Sequence, residues 1–206
     1  MYQVSCIRYG VFLYMIPDTK YLIHNTNDMR VIAGYLKGRI LHEPHGHRTH
    51  PMSEKIRGAI FNALGDIEGL SLLDAFAGSG AVSAEAVSRG AKFVQAVDQD
   101  KEAVRCIRKN IDELKLSSVI KLSQANISSW LDTNPDATFG VVILDPPYDD
   151  VRPELLEKIA NFAKISGIVV LSLPSDINFE LPTTNYRLLS TKSYGDARLD
   201  FYRVKS

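Results

Sequence analysis

LLDAFAGSGA at residues 72–81 and VVILDPPY at residues 141–148 are the two stretches that decide the fold of this chain. Each is an apolar run that leads into an aspartate, Asp74 or Asp145, and then into a turn built from glycine or proline. Continuous apolar runs predict strands that are buried on both faces, as in a parallel sheet. Because ligands of such sheets bind beyond the carboxyl ends of the strands, both turns are candidate parts of one ligand site.

The chain around these stretches alternates strands with amphipathic helices. FVQAVD predicts a second strand, and PELLEKIANFAK predicts a helix before the buried strand GIVVLSLP. This order predicts a parallel sheet with helices on both faces. YRLLSTKSYG and ARLDFYRV then predict a closing antiparallel hairpin.

The N-terminal part predicts two further units. Residues 1–28 show neither helical nor strand periodicity and are expected to form a poorly ordered extension, which an upstream start codon would explain. Residues 29–52 contain two short apolar runs separated by Gly34 and Gly38, which predicts a β-hairpin arm followed by a basic loop. Ser53 is expected to cap a helix that ends at Gly65, so residues 53–206 form the predicted main domain.

Composition excludes several classes of protein. Among the 206 residues, 45% are hydrophobic and 23% charged, which is typical of a globular protein and not of a disordered or membrane-embedded one. The two cysteines lie far apart, which fits a reducing cytoplasm and argues against a disulfide framework. No metal site is expected, because His42, His45, His47 and His50 match no compact zinc pattern.

The turn Ala77-Gly78-Ser79-Gly80 predicts a nucleoside-binding loop between the first strand and its helix. Asp98 ends the next strand, where a carboxylate can accept both hydroxyls of a ribose. A nicotinamide dinucleotide would require a third glycine where Ser83 stands, and its pyrophosphate would be repelled by Asp74. S-adenosylmethionine carries an ammonium group and no phosphate, so it fits this loop better than a dinucleotide.

The tetrapeptide Asp145-Pro146-Pro147-Tyr148 predicts the site of the methyl acceptor. Prolines stiffen the turn and provide carbonyl acceptors without N–H donors, which suits an acceptor that presents N–H groups. Asp145 and the Pro146 carbonyl can accept both hydrogen bonds of an exocyclic amine, which directs the nitrogen lone pair at the methyl group. Asp145 can also stabilise the positive charge that develops on nitrogen, and Tyr148 offers a ring on which an extruded base can stack.

A basic segment precedes this domain. Between Met29 and Leu64 there are six lysines or arginines against two acids, although the whole chain has a formal net charge of zero. A local basic face can bind the phosphates of a polyanion even when the total charge is balanced. The predicted RNA-binding residues are Arg30, Lys37, Arg39, Arg48, Lys55 and Arg57.

These motifs resemble the Class I methyltransferases, which have a seven-stranded sheet, and more closely the RsmD family of small-subunit ribosomal RNA guanine-N2 methyltransferases. The similarity covers about residues 29–206 and keeps the order of RVIAGYLKGRIL, EKIRGAIFNAL, LLDAFAGSGAVSAEAVSRGA, DPPY and SYGDARLDFYRV. The resemblance implies an α/β, Rossmann-like seven-stranded sheet with helices on both faces, a C-terminal antiparallel hairpin and an N-terminal β-hairpin arm.

The resemblance also assigns roles to residues. It implies S-adenosylmethionine binding by Asp74, the turn at 77–80, Asp98 and Asn126, and catalysis by residues 145–148. The chain departs from the family pattern at two places. His50-Pro51-Met52 stands where Arg-Pro-Thr is usual, and Asn126 stands where an acid often contacts adenine.

The resemblance implies methylation of a guanine N2 in small-subunit ribosomal RNA, within an assembly intermediate, by a cytoplasmic monomer without membrane association. Adenine-N6 methylation of DNA or RNA uses the same nitrogen chemistry and stays as the first alternative. Glutamine methylation of protein is a further alternative. Enzymes of that kind resemble one another in an Asn-Pro-Pro-Tyr motif, whereas this chain has Asp145 at the first position. A non-catalytic RNA-binding assembly factor is the alternative from another class.

Overall fold

The computed structural model describes residues 29–44 and 52–206, which include a seven-stranded sheet with the order β3-β2-β1-β4-β5-β7-β6. The strands are β1 (Ser71–Asp74), β2 (Phe93–Asp98), β3 (Ile120–Gln124), β4 (Phe139–Leu144), β5 (Ala163–Pro174), β6 (Tyr186–Tyr194) and β7 (Ala197–Val204). The helices of the described residues are α1 (Glu54–Leu64), α2 (Ala81–Ser88), α3 (Lys101–Leu114), α4 (Ile127–Thr133) and α5 (Pro153–Ala160). None of these helices is long and apolar enough to cross a membrane.

Strand pairing confirms the predicted sheet. Strands β1 to β5 pair in parallel, and β7 pairs antiparallel with both β5 and β6. The chain runs outward from β1 through β2 to β3 and then crosses to β4 on the other side of β1. The strand order therefore reverses between β1 and β4, and such a switch point is where open α/β sheets bind ligands.

Alternating side chains of the strands form two apolar layers. In β1, Leu72 packs with residues of α1, α2 and α3, whereas its neighbour Leu73 packs with residues of α4 and α5. This alternation follows from the two-residue period of a strand. Burial of β1 on both faces fixes the position at which its last residue, Asp74, leaves the sheet.

Two predicted helix ends differ in outcome. Helix α1 is confirmed, because the Ser53 side chain accepts a hydrogen bond from the Ile56 N–H and Gly65 ends the helix at φ 72°. The predicted helix PELLEKIANFAK is too long, since α5 ends at Ala160 and β5 already begins at Ala163. The Phe139 N–H donates to the Phe162 carbonyl at 2.8 Å, so pairing with β4 begins before the apolar run does.

The expected β-hairpin arm is present as a tight turn and not as a pair of strands. A single antiparallel bridge joins Arg30 to Ile40. Backbone hydrogen bonds from the Val31 N–H to the Arg39 carbonyl and from the Leu41 N–H to the Met29 carbonyl flank this bridge. Beyond it the chain turns, and the N–H groups of Ile32 and Ala33 donate to the Glu85 carboxylate of α2, at 2.7 and 3.1 Å.

Candidate active site

Three aspartates converge at the carboxyl ends of the central strands. Asp74 ends β1, Asp98 ends β2, and Asp145 directly follows β4. Asp145 and Asp98 both act on Asp74 electrostatically and raise its pKa. The fold therefore brings three acids together at the strand-order switch, although the first and the last lie 71 residues apart in the sequence.

The glycine turn leads from β1 into α2 through left-handed backbone. Gly78 has φ 55° and Gly80, which caps α2, has φ 77°. Space beyond the Gly78 Cα is open, whereas a Cβ on Gly80 would lie 3.2 Å from the Ile107 side chain. The turn is held by a hydrogen bond of 3.0 Å from the Ala77 N–H to the Val97 carbonyl and by one of 3.0 Å from the Asn110 amide to the Ser79 carbonyl. Its backbone is thus fixed with one side open to a ligand.

Asp74 is buried and receives a hydrogen bond of 2.6 Å from the Ser83 hydroxyl of α2. Burial raises the pKa of Asp74 to about 7, and the Ser83 hydrogen bond partly opposes that rise. Ser83 is the residue that replaces the third glycine of a dinucleotide fingerprint. The substitution therefore has a structural role, because Ser83 orients the acid that disfavours a pyrophosphate.

Asp98 and Asn126 border the other end of the turn. The Asp98 carboxylate accepts the Gly78 N–H at 2.8 Å and the Asp100 N–H at 2.9 Å, and burial raises its pKa. Asn126 caps α4 by accepting the Ser128 N–H at 3.0 Å, and its amide donates to Gln99 at 2.9 Å. Both predicted cofactor contacts thus lie beside the turn, and each already makes hydrogen bonds within the chain.

The Asp-Pro-Pro-Tyr segment forms the opposite wall. Burial raises the pKa of Asp145 to about 6, and the nearby Ser172 side chain of β5 partly opposes that rise. Burial and the charges of Asp145 and Asp196 raise the pKa of Tyr148, and the Ser172 side chain partly opposes this rise. Tyr148 remains 44% exposed, so its ring is free to contact a ligand.

The two prolines of this segment differ in what their carbonyls contact. The Pro147 carbonyl accepts the Asp150 N–H at 3.0 Å and closes a turn, so it already has one partner within the chain, and its contact with a substrate stays a prediction. No hydrogen bond from the described residues ends on the Pro146 carbonyl. Pro146 is itself buried, so contact of its carbonyl with an acceptor amine stays a prediction.

The chemistry of these residues fits the expected cofactor. The strongest charged neighbours of Asp74 are two further acids, which favours a ligand with positive charge. S-adenosylmethionine carries an ammonium and a sulfonium group. Its ribose hydroxyls match the predicted role of Asp98, and its adenine matches the predicted role of Asn126. Open space beyond Gly78 allows close approach of such a ligand to the backbone.

Of the six predicted RNA contacts, four are exposed, one lies outside the described residues and one is buried. Arg30, Lys37, Arg39 and Lys55 are exposed, although Arg30 pairs with Glu54 at 3.3 Å. Lys55 lies over the Tyr194 ring at 5.7 Å. Arg48 lies outside the described residues, as do His45, His47 and His50.

The expectation that Arg57 contacts RNA is wrong, because its side chain is fully buried. Its guanidinium donates to the Arg30 carbonyl at 2.6 Å and to the Met52 carbonyl at 3.3 Å. Its Nε lies 3.9 Å from the buried Glu85 carboxylate. Arg57 therefore joins α1 to the arm and to α2 and cannot reach a phosphate.

A substitution at Gly80 tests the glycine turn. Gly80→Ala adds a Cβ at φ 77° that crowds Ile107, so the turn must shift and cofactor affinity is expected to fall at least about tenfold. Gly69→Ala is the matched control, because Gly69 has φ 71° with open space and lies before β1. Calorimetry with S-adenosylmethionine measures both, and equal affinity in the two variants would refute the role of the turn.

Comparison with known proteins identifies the family of this chain. A family model described as "Conserved hypothetical protein 95" matches residues 29–203. The chain is 32% identical over 183 residues, 86% of this chain and 100% of the relative, to the Bacillus subtilis (strain 168) protein named "Putative rRNA methyltransferase YlbH". It is 29% identical over 185 residues, 86% of this chain and 91% of the relative, to "Ribosomal RNA small subunit methyltransferase D" of Escherichia coli (strain K12).

A solved methyltransferase-like structure matches the fold of this chain. The chain superposes with a TM-score of 0.74 and 26% identity on "Putative methyltransferase yhhF from Escherichia coli", over 87% of this chain and 99% of that one. The match extends from the arm to the closing hairpin, as the resemblance of the motifs implies. The chain belongs to the Conserved hypothetical protein 95 family, which is the RsmD family.

Proposed function

We propose that this chain transfers a methyl group from S-adenosylmethionine to the exocyclic N2 of a guanine in small-subunit ribosomal RNA. The observation that carries the proposal is the convergence of Asp74, Asp98 and Asp145 with the glycine turn at the strand-order switch. Such a cluster favours a cationic nucleoside over a dinucleotide. Asp74 and the turn hold the aminoacyl part, Asp98 the ribose and Asn126 the adenine side. When bound, the cofactor supplies an electrophilic methyl group.

Asp145 orients the acceptor amine. With a pKa of about 6 it is mostly ionised at neutral pH, so its carboxylate accepts one N–H of the amine while the Pro146 carbonyl accepts the other. This arrangement pyramidalises the nitrogen and directs its lone pair away from the ring. Asp145 then stabilises the positive charge on nitrogen and can take up its proton. Tyr148 stacks on the base.

The exposed basic residues and the names of the relatives support ribosomal RNA as the substrate. Arg30, Lys37, Arg39 and Lys55 give the arm and α1 cations for phosphate contacts. Relatives that match most of the chain are named as ribosomal RNA small subunit methyltransferases. The protein acts as a cytoplasmic monomer on an assembly intermediate of the small subunit. In that arrangement residues 29–52 serve as the RNA-facing arm of the methyltransferase domain.

Transfer of labelled methyl groups tests the proposal. Purified protein is incubated with methyl-labelled S-adenosylmethionine and three substrates from cells lacking the gene: free small-subunit RNA, small-subunit particles and genomic DNA. Nucleosides are then separated by chromatography. We expect label in N2-methylguanosine from the particles. Label in N6-methyladenine would support the alternative base, and binding without label would support a non-catalytic assembly factor.

Cofactor affinity is expected to depend on pH. Because the pKa of Asp74 is raised to about 7, its carboxylate becomes neutral as pH falls through 7 and no longer attracts the ammonium group. Between pH 7.5 and 5.5, affinity should fall about tenfold or more, although the cofactor amine becomes more fully protonated over the same range. Calorimetry measures this change. Asp74→Asn should bind weakly with little pH dependence, and a flat profile for the unmodified protein would contradict the role of Asp74.

A further inference from the structure

Tyr35 lies at the tip of the arm with its ring in solvent. It is 67% exposed, whereas the next side chain, Leu36, is 8% exposed and packs into the core. Two exposed cations, Lys37 and Arg39, follow within four residues. Two thirds of the Tyr35 surface lies in solvent, so most of it does not pack against the fold and is accessible to a ligand.

The backbone that carries Tyr35 is tied to α2. The Tyr35 N–H donates to the Ser88 carbonyl at 3.0 Å, and the Leu36 N–H donates to the Ser88 hydroxyl at 2.9 Å. The Glu85 carboxylate accepts the N–H groups of Ile32 and Ala33. Four donors of one short turn thus end on two helical residues, so the ring is presented by a preorganised backbone.

Gly34 shows how closely this turn fits α2. A Cβ at position 34 would lie 1.8 Å from the Ser88 carbonyl oxygen, and the residue has φ 81°. The turn can therefore approach the helix only with glycine at this position. Because the docked backbone is rigid, little conformational entropy is lost when the ring contacts a ligand.

We propose that Tyr35 is a stacking platform for an unpaired base of the RNA substrate, a step that rests on the proposed function. An aromatic face accepts the π-face of any base, and Lys37 and Arg39 are placed to contact the adjoining phosphates. A base within a duplex is already stacked on both faces and cannot use such a platform. A single-stranded or bulged nucleotide fits these three side chains.

The base on Tyr35 is distinct from the base that is methylated. Helix α2 begins at the glycine turn and ends at Ser88, to which Tyr35 is bonded. Its eight residues span about 12 Å, so Tyr35 and the cofactor turn lie at opposite ends of the helix. Tyr148 stacks on the target base, and Tyr35 holds a second nucleotide that sets the register of the RNA.

Binding of two labelled RNAs tests Tyr35, with fluorescence anisotropy as the readout for a 12-nucleotide oligoadenylate and a 12-base-pair RNA duplex. Tyr35→Ala is expected to weaken binding of the single strand by about 5- to 100-fold and to leave duplex binding unchanged. Tyr35→Phe keeps the ring and should bind both RNAs like the unmodified protein. Leu188→Ala is the matched control, since Leu188 is 44% exposed on β6 at the far edge of the sheet.

Equal binding of the single strand by Tyr35→Ala and by the unmodified protein would overturn the platform. An equal loss of single-strand and duplex binding in Tyr35→Ala would also overturn it, because the ring would then contribute to backbone contacts that both RNAs share and not to stacking on an unpaired base. Failure of the proposed function is seen separately, as absence of methyl transfer to ribosomal RNA by the unmodified protein. A Tyr35 that served a protein partner would leave both RNA affinities unchanged.

Discussion

Asp145→Ala is expected to lower the rate of methyl transfer by at least about 10²- to 10³-fold while cofactor affinity stays within about twofold. The carboxylate is the group that accepts an amine N–H and stabilises the charge developing on nitrogen, so its loss affects the transition state more than the bound cofactor. Single-turnover rates with saturating cofactor and RNA measure the effect. Because Asp145 also raises the pKa of Asp74, the variant should bind cofactor at slightly lower pH than the unmodified protein does.

The loop itself provides a control for this substitution. Asp149 is exposed and lies four residues further along the same loop. Asp149→Ala removes one negative charge from that loop and should leave the rate nearly unchanged. Turnover retained in Asp145→Ala, or lost equally in Asp149→Ala, would show that general loop electrostatics and not the Asp145 carboxylate promote transfer.

Glu85→Ala is expected to lower the free energy of unfolding by about 3–5 kcal/mol. Glu85 is fully buried and contacts Arg57, Arg89 and the two N–H groups of the arm. Its removal leaves the buried Arg57 cation with only the weaker influence of Glu54, and burial already lowers the pKa of that arginine. Urea denaturation measures the change. Hydrogen exchange at Ile32 and Ala33 should show that the arm is released first.

An exposed ion pair provides the comparison for Glu85. Glu102 pairs with Arg105 on the surface of α3, where solvent screens the charges. Glu102→Ala should therefore cost less than about 1 kcal/mol. A loss below about 1 kcal/mol for Glu85→Ala would mean that the arm is held by its apolar side chains and not by the buried charges.

The sequence predicts the strands and the site motifs because these depend on local patterns. Apolar runs that end in Asp74 and Asp145 specify buried parallel strands, and their carboxyl ends must meet at one edge of the sheet. The seven-stranded count came from the family resemblance and is confirmed. Ser83 was visible only as a missing glycine, since its hydrogen bond to Asp74 depends on how α2 packs against β1.

Arg57 shows where local patterns mislead. Basic residues are usually solvated, so the cluster of cations before the domain predicts a phosphate-binding face. Two signals in the sequence point the other way. Arg57 precedes Ile60 and Phe61 by three and four residues, which places it on the buried face of α1. Glu85 is the one charged residue of α2, AVSAEAVS, and a single acid in an otherwise small and apolar helix indicates a buried counter-charge.

The arm could not be predicted in detail for the same reason. Two apolar runs around Gly34 and Gly38 indicate a hairpin, and the bridge from Arg30 to Ile40 is present. The turn beyond this bridge is docked on α2, whose Glu85 and Ser88 accept its backbone N–H groups. That contact joins residues more than 50 positions apart and leaves no periodic trace in either segment.

Mass spectrometry of nucleosides from small-subunit ribosomal RNA tests whether the chain methylates a guanine N2 in the cell. RNA is compared from cells with the gene, without it, and without it but supplied with the chain carrying Asp145→Ala. We expect one N2-methylguanosine to be present in the first and absent from the other two. An unchanged level of N2-methylguanosine in all three, or the loss of N6-methyladenine in its place, would contradict it.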